Sequence, residues 1–309
     1  MTGLAESRAY YLDVLRPRLV GIPHAAARIG PGSEVLGFDT DRSRDHDWGP
    51  FVQIFVPDPD SVPVEAFRLG EWLRGHLGFD PLAGITVFDW LATSAQGLAE
   101  VTAGAVFHDD LGDLTAARSA LAWYPDEVWR YLLACQWKRL SQEEAFVGRC
   151  GEVGDELGSA VVAARQVRDV MRLCFLMSRR YAPYSKWLGS AFAQLPCAPT
   201  LTPLLRGALA ATDWHTREDH LAAAYRAVAL LHNDLGLTEP VDPATRPYHT
   251  RPYQVLHAER FADALSATIT DPEIRALPLY GNVDQAFDST DALASRTNAR
   301  ALYSVPPRR

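Results

Sequence analysis

Gly32, Ser33, Asp45 and Asp47 are the residues whose types and spacing invite chemistry. They sit in GPGSEVLGFDTDRSRDHDWGP, residues 30–50, where eleven residues separate a Gly-Ser pair from an Asp-x-Asp. An apolar run follows, FVQIFV at 51–56, and reads as a strand. Residues i and i+2 of a strand point the same way, so at its mouth Asp45 and Asp47 converge on one side. Paired carboxylate oxygens are hard ligands that hold one or two Mg²⁺ ions. Such ions bridge the oxygens of a nucleoside triphosphate and stabilise attack at the α-phosphorus as pyrophosphate departs. Gly32 would let the backbone approach the phosphates, and Ser33 would donate through its N–H and hydroxyl. Asp-x-Asp alone is common in polar turns. The upstream Gly-Ser pair, Gly37 between, and the apolar run after are what make it a candidate site.

These residues need a frame. Leu4, Tyr11, Leu12, Leu15 and Leu19 predict an amphipathic helix over 4–20, with Pro17 near its end. Gly30-Pro31-Gly32-Ser33 is a turn. After the loop PDPDSVP at 57–63, VEAFRL at 64–69 reads either as a second strand or as the start of a helix running to Leu77. From Asp89 onward the pattern is helical: 89–106, 114–122, and a long helix opened by Pro125-Asp126-Glu127. Val128, Trp129, Leu132, Leu133, Trp137 and Leu140 mark the apolar face of that long helix. Another spans 154–181, with Leu157, Val161, Ala164, Val167, Met171, Cys174 and Phe175 expected inward. Helices over 185–195, 216–234 and 253–268 complete the reading. The expected class is α+β: a small α/β domain at 1–105, then an all-helical domain at 106–309.

The Gly-Ser and Asp-x-Asp pattern resembles the DNA polymerase β-like nucleotidyltransferase superfamily. More closely, residues 30–50 resemble the bacterial DUF4037 family. Three further stretches share that resemblance: LAEVTAGAVFHDDLG at 98–112, QEEAFVGRCGEVGDELGS at 142–159 and GNVDQAFDSTDAL at 281–293. The resemblance implies a catalytic α/β module and a helical C-terminal domain like that of small-molecule nucleotidyltransferases. It also implies a third carboxylate from a neighbouring strand. Glu65, in VPVEAFRL, resembles the strand that bears a Val-Glu pair; Asp89, in ITVFDWL, competes, although it also reads as a helix N-cap. The stretch 56–64 is shorter than that of relatives. In similar two-domain enzymes a basic residue of the helical domain reaches the triphosphate, and Lys186 is the candidate here.

Other residues are open to blander readings. Arg168 and Arg172, four apart, share a helix face, lining a cleft or simply exposed. Glu143, Glu144 and Asp155 are candidates for the base that deprotonates an acceptor hydroxyl, against solvated helix surface. Asp284, Asp288 and Asp291 read as surface or capping groups. His24, His46, His108 and His215 are scattered, and no HxxxH or HxH pairing marks a transition-metal site. Trp123, Trp129, Trp137 and Trp187 read as core. Cys135, Cys150, Cys174 and Cys197 show no CxxC spacing and read as free thiols.

The net charge of −8 argues against nucleic acid as the partner. No stretch reaches a membrane-spanning length of apolar residues, and the N-terminus lacks an apolar leader, so a cytoplasmic location is expected. Ala- and Arg-rich usage points to a bacterial source. The expected function is Mg²⁺-dependent transfer of a nucleoside monophosphate, AMP from ATP, to a hydroxyl of an unidentified small-molecule acceptor. Asp45, Asp47 and Glu65 would hold the metal, and Gly32, Ser33 and Lys186 would hold the nucleotide. The alternative is a non-catalytic nucleotide sensor or a partner-binding, antitoxin-like module with a degenerate site.

Overall fold

The computed structural model describes residues 2–40 and 49–304. The chain divides into two units: 1–124 with 183–187 and 282–309, and 125–182 with 188–281. The first unit therefore runs past the expected boundary at 105 and takes up two later segments. Residues 105–109, the first two of which fall within the helix expected over 89–106, form a strand that carries the first unit past that boundary.

The first unit opens with α1 (Gly3–Tyr10), which continues into a π-turn over Tyr11–Leu15 and a 3-10 turn over Arg16–Leu19. Tyr11, Leu15 and Leu19 face inward, whereas Leu12 is exposed. A four-residue spacing outruns the 3.6-residue α period, and the wider π-turn takes up the difference. Next come β1 (Ala25–Arg28), β2 (Gln53–Phe55), α2 (Leu69–Leu77), α3 (Val87–Ala92), α4 (Ala95–Thr102), β3 (Ala105–Asp109) and α5 (Asp113–Ala120). The strands form a sheet of order β2-β1-β3, antiparallel throughout, pairing Ala26 with Ile54 on one side and with His108 on the other.

Both faces of β1 are covered. Ala26, Ile54 and Val56 pack with Tyr11, Leu15 and Leu19 on one side. Ala25, Ala27, Ile29 and Phe55 pack with Leu114, Phe67, Leu69 and Trp72 on the other. Three consecutive alanines in the central strand let both layers come close. The expected single helix over 89–106 is two, broken at Thr93-Ser94, because the Ser94 side chain caps α4 by accepting from the Gly97 N–H.

The second unit contains α6 (Asp126–Glu143), α7 (Phe146–Glu152), α8 (Glu156–Met177), most of α9 (Ser185–Phe192), α10 (Ala198–Ala210), α11 (Trp214–Asp234), the short hairpin β4 (Arg246–Pro247) and β5 (Gln254–Val255), and α12 (Glu259–Ala267). The six expected inward residues of α6 are all buried, and Trp137 stacks on Phe261 at 4.4 Å between centroids. On α8 the expectation is corrected: Leu157, Val161 and Ala164 are exposed. The inward face carries Ser159, Gln166 and Asp169 among its apolar residues, each with a partner. Arg217 donates to Ser159 at 2.8 Å, Tyr225 to Gln166 at 2.9 Å, and Arg139 pairs with Asp169 at 3.0 Å. Buried polar groups satisfied in this way disguise the apolar period. The chain is thus α+β, with many helices and one small antiparallel sheet.

Candidate active site

β1 runs out into the Gly30–Gly37 turn, and a polar framework holds that turn. Arg28 is nearly buried; its Nε donates to Glu34 at 2.8 Å, and its two terminal nitrogens donate to the carbonyls of Ile29 and Pro31 at 2.7 Å. Gln53, 3% exposed, extends the β1–β2 ladder with its side chain: it accepts from the Ile29 N–H at 3.1 Å and donates to the Ile29 carbonyl at 2.6 Å. The Phe38 N–H donates to the Ser33 carbonyl at 2.8 Å, and the Gly37 N–H to that of Glu34 at 3.2 Å, closing the turn. Ser33 is half-buried within it.

Gly32 has φ +150°, and a Cβ there would meet the Arg28 guanidinium and lie 2.7 Å from a Glu34 oxygen. The side-chain space at Gly32 is therefore filled by that ion pair, a close approach that glycine alone tolerates.

Asp45 and Asp47, with His46, lie outside the described residues. Residues 49–51 enter β2 beside the end of β1 that carries Ile29, because the two strands are antiparallel. Residues 65–67 run parallel to β2: the Phe67 N–H donates to the Ile54 carbonyl at 2.8 Å, and the Val56 N–H to that of Phe67 at 3.0 Å. This resolves the ambiguous stretch 64–69 into an extended segment followed by α2. Continuing the Phe55–Phe67 register back two residues sets Glu65 level with Gln53, toward the turn end of the sheet. Its neighbours Val64 and Ala66 pack inward, and Glu65 is exposed.

Asp89 is not the N-cap of α3. Thr86 is, and Asp89 closes a capping box with it while pairing with Arg300 at 2.8 Å. Burial would raise its pKa, but the hydrogen bonds from Thr86 and the Arg300 charge hold it below the usual carboxylate range. Asp89 is thus committed to holding the C-terminal helix Arg296–Tyr303.

Lys186 belongs to the first unit, within the returning segment 183–187. The Tyr184 N–H donates to Gln96 at 3.0 Å, and Trp187 stacks on Phe38 at 5.2 Å between centroids. The exposed Lys186 ammonium lies 4.9 Å from the Trp187 centroid. Phe38 lies in the chain that leads from Ser33 to Asp45, so Trp187 has a specific contact that the expectation of a plain core tryptophan missed.

The expected acceptor bases all have structural employment in the second unit. Glu143 pairs with Arg165 at 3.2 Å, and Asp155 caps α8 by accepting from Gly158 at 2.7 Å. Glu144 is buried, accepts from the N–H groups of Leu256 and Ala258 at 2.7 and 3.0 Å, and is pushed by burial up to about 7. Arg168 and Arg172 are half-buried on α8. In the first unit, Asp284 accepts from the Ala95 N–H at 2.7 Å, as a capping group does.

Residues 90–188 match the family model of a domain of unknown function, DUF4037. That stretch holds Glu143, Glu144, Asp155 and Lys186, but not the turn at Gly32 or Glu65. No curated protein and no solved structure matches the chain.

Proposed function

We propose that the protein is a Mg²⁺-dependent nucleotidyltransferase that moves a nucleoside monophosphate, AMP from ATP, to a hydroxyl of a small polar acceptor. What supports this reading is that the Gly32-Ser33 turn and the start of β2 lie at one end of the sheet, and that the Phe55–Phe67 register, carried back two residues, sets Glu65 toward the same end. Asp47 lies six residues before the first residue of β2 in sequence, and Asp45 eight. The donor set fits Mg²⁺: three carboxylates are hard ligands, and among the described residues Glu65 has no ion pair that would compete. Mg²⁺ held there would neutralise the triphosphate oxygens. Ser33 would donate to the phosphates from a turn braced by Arg28 and Gln53, which keeps its donors oriented before the substrate arrives. Lys186 would add positive charge from the segment anchored on Phe38.

A second reading, a nucleotide sensor or partner-binding module without turnover, is favoured by one observation. Glu143, Glu144 and Asp155 are all held by structural partners, which leaves the acceptor without an assigned base.

Calorimetry with ATP and Mg²⁺ tests the site. Wild type is expected to bind, Asp45→Asn to lose Mg²⁺-dependent binding while keeping its fold, and Lys186→Ala to bind more weakly with less salt dependence. Asp45→Asn with unchanged affinity would refute the assignment. Pyrophosphate release in the presence of a panel of small hydroxylated acceptors separates the two readings.

A further inference from the structure

At the other end of the sheet, β1 begins and β3 ends, and antiparallel pairing brings together two histidines that are far apart in sequence. His24 precedes β1, His108 lies near the end of β3 and Asp110 just after it, with the Asp110 N–H donating to the His24 carbonyl at 3.1 Å. The imidazole rings lie 4.6 Å apart between centroids, and His108 Nε2 is 2.7 Å from an Asp110 oxygen. One ligand atom from each of His24, His108 and Asp110 lies within 4.8 Å of the other two. His24 is 4% exposed, and its Nδ1 lies 2.7 Å from the Ile22 carbonyl, so Nδ1 carries the proton and Nε2 presents its lone pair. That lone pair now accepts from the buried Tyr11 hydroxyl at 3.0 Å.

We propose that His24, His108 and Asp110 form a binding site for one divalent transition-metal ion of the zinc type. The site is separate from the Gly32 turn and does not rest on the nucleotide reading. Three arguments support it. The tautomer of His24 is fixed by a backbone carbonyl, as it is in histidines that ligate metals. Two imidazoles and a carboxylate are a known zinc donor set, with solvent as fourth ligand. The required movement is small: the Tyr11 hydroxyl turns away from His24 Nε2, and the partly exposed His108 and Asp110 side chains shift. Tetrahedral zinc with ligands at about 2.0–2.1 Å separates ligand atoms by about 3.3 Å. The buried His24 stays, while the His108 and Asp110 side chains, 30% and 47% exposed, swing to admit the ion between them, and the proton that His108 Nε2 donates to Asp110 moves to its Nδ1 so that Nε2 can ligate. A metal here would tie the start of β1 and the end of β3 together.

The test is a Zn²⁺ titration of chelator-treated full-length protein by calorimetry and thermal unfolding, without nucleotide. One equivalent of Zn²⁺ is expected to bind and raise the unfolding temperature, and His108→Ala and Asp110→Asn each to weaken binding at least about ten-fold. Both changed side chains are partly exposed; if His108→Ala fails to fold, Asp110→Asn decides. Co²⁺ in place of Zn²⁺ is expected to give visible bands without the near-ultraviolet thiolate band that the free cysteines would produce. Absence of a stoichiometric site, wild-type affinity in the folded variants, or a thiolate band would overturn the proposal.

Discussion

Glu144→Gln separates a structural carboxylate from a catalytic one. Glu144 follows α6, is 8% exposed, and accepts two backbone N–H groups at the start of α12. Burial raises its pKa from 4.5 to about 7, a value that also suits a general base. The sign of the linkage follows from the two states. Between pH 4.5 and 7 the folded protein keeps a proton that the unfolded chain has released, so stability falls as pH rises through that window. At about 1.36 kcal/mol per pKa unit the full fall is a little over about 3 kcal/mol, and it flattens above pH 7. Glutamine keeps the shape, does not titrate, and turns its NH₂ toward one of the two N–H groups, at a cost of about 1–3 kcal/mol. Wild type should therefore be the more stable protein at pH 5, and the two should converge or cross by pH 8. Urea unfolding of both proteins at the two pH values measures this. Glu218, also raised to about 7 by burial, adds a slope of the same sign to both proteins. His232, lowered to about 4 by burial, adds one of opposite sign between pH 4 and 6.5. Both cancel in the difference. Parallel pH profiles for wild type and Glu144→Gln would refute the reasoning, and a loss of turnover without that change in slope would return Glu144 to the list of bases.

Gly32→Ala should cost about 1–3 kcal/mol, because its Cβ meets the Arg28–Glu34 pair at a φ that suits glycine; thermal unfolding at the wild-type temperature would contradict this. Gln53→Leu orphans the buried Ile29 N–H and should cost about 1–3 kcal/mol in urea unfolding, with faster hydrogen exchange at that amide. Arg300→Ala removes the partner of Asp89 and a guanidinium 4.8 Å from the Phe88 centroid. Because the Asp89 pKa is held down in the folded state, the stability gap to wild type should be full at neutral pH and narrow as pH falls below about 4.

What was legible in the sequence follows from how locally it is encoded. The Gly30–Gly37 turn, β2 and the α6 face are written in contiguous residues, and they stand where the pattern put them. β3 was missed because AVFHD is too short for a clear alternation and borders a true helix. α10 was missed because Pro199 and Pro203 break its pattern, although the helix carries both. The roles of Glu144, Asp89 and Trp187 depend on partners distant in sequence: Leu256 and Ala258, Arg300, and Phe38. The His24–His108 pair was invisible for the same reason, since only strand pairing brings the two rings together.

The first unit is assembled from three stretches of chain, and this has a consequence for synthesis. As the protein leaves the ribosome, residues 1–124 emerge without the Asp284 carboxylate that meets the start of α4 and without the Arg300 that neutralises Asp89. The whole second unit, continuous but for 183–187, is translated before either arrives. The nascent first unit must wait, with α4 uncapped by Asp284 and the Asp89 charge uncompensated, exposed to the misassembly and aggregation that threaten partly folded chains. A nonsense mutation just before residue 282 would thus strike the half of the protein that was made first.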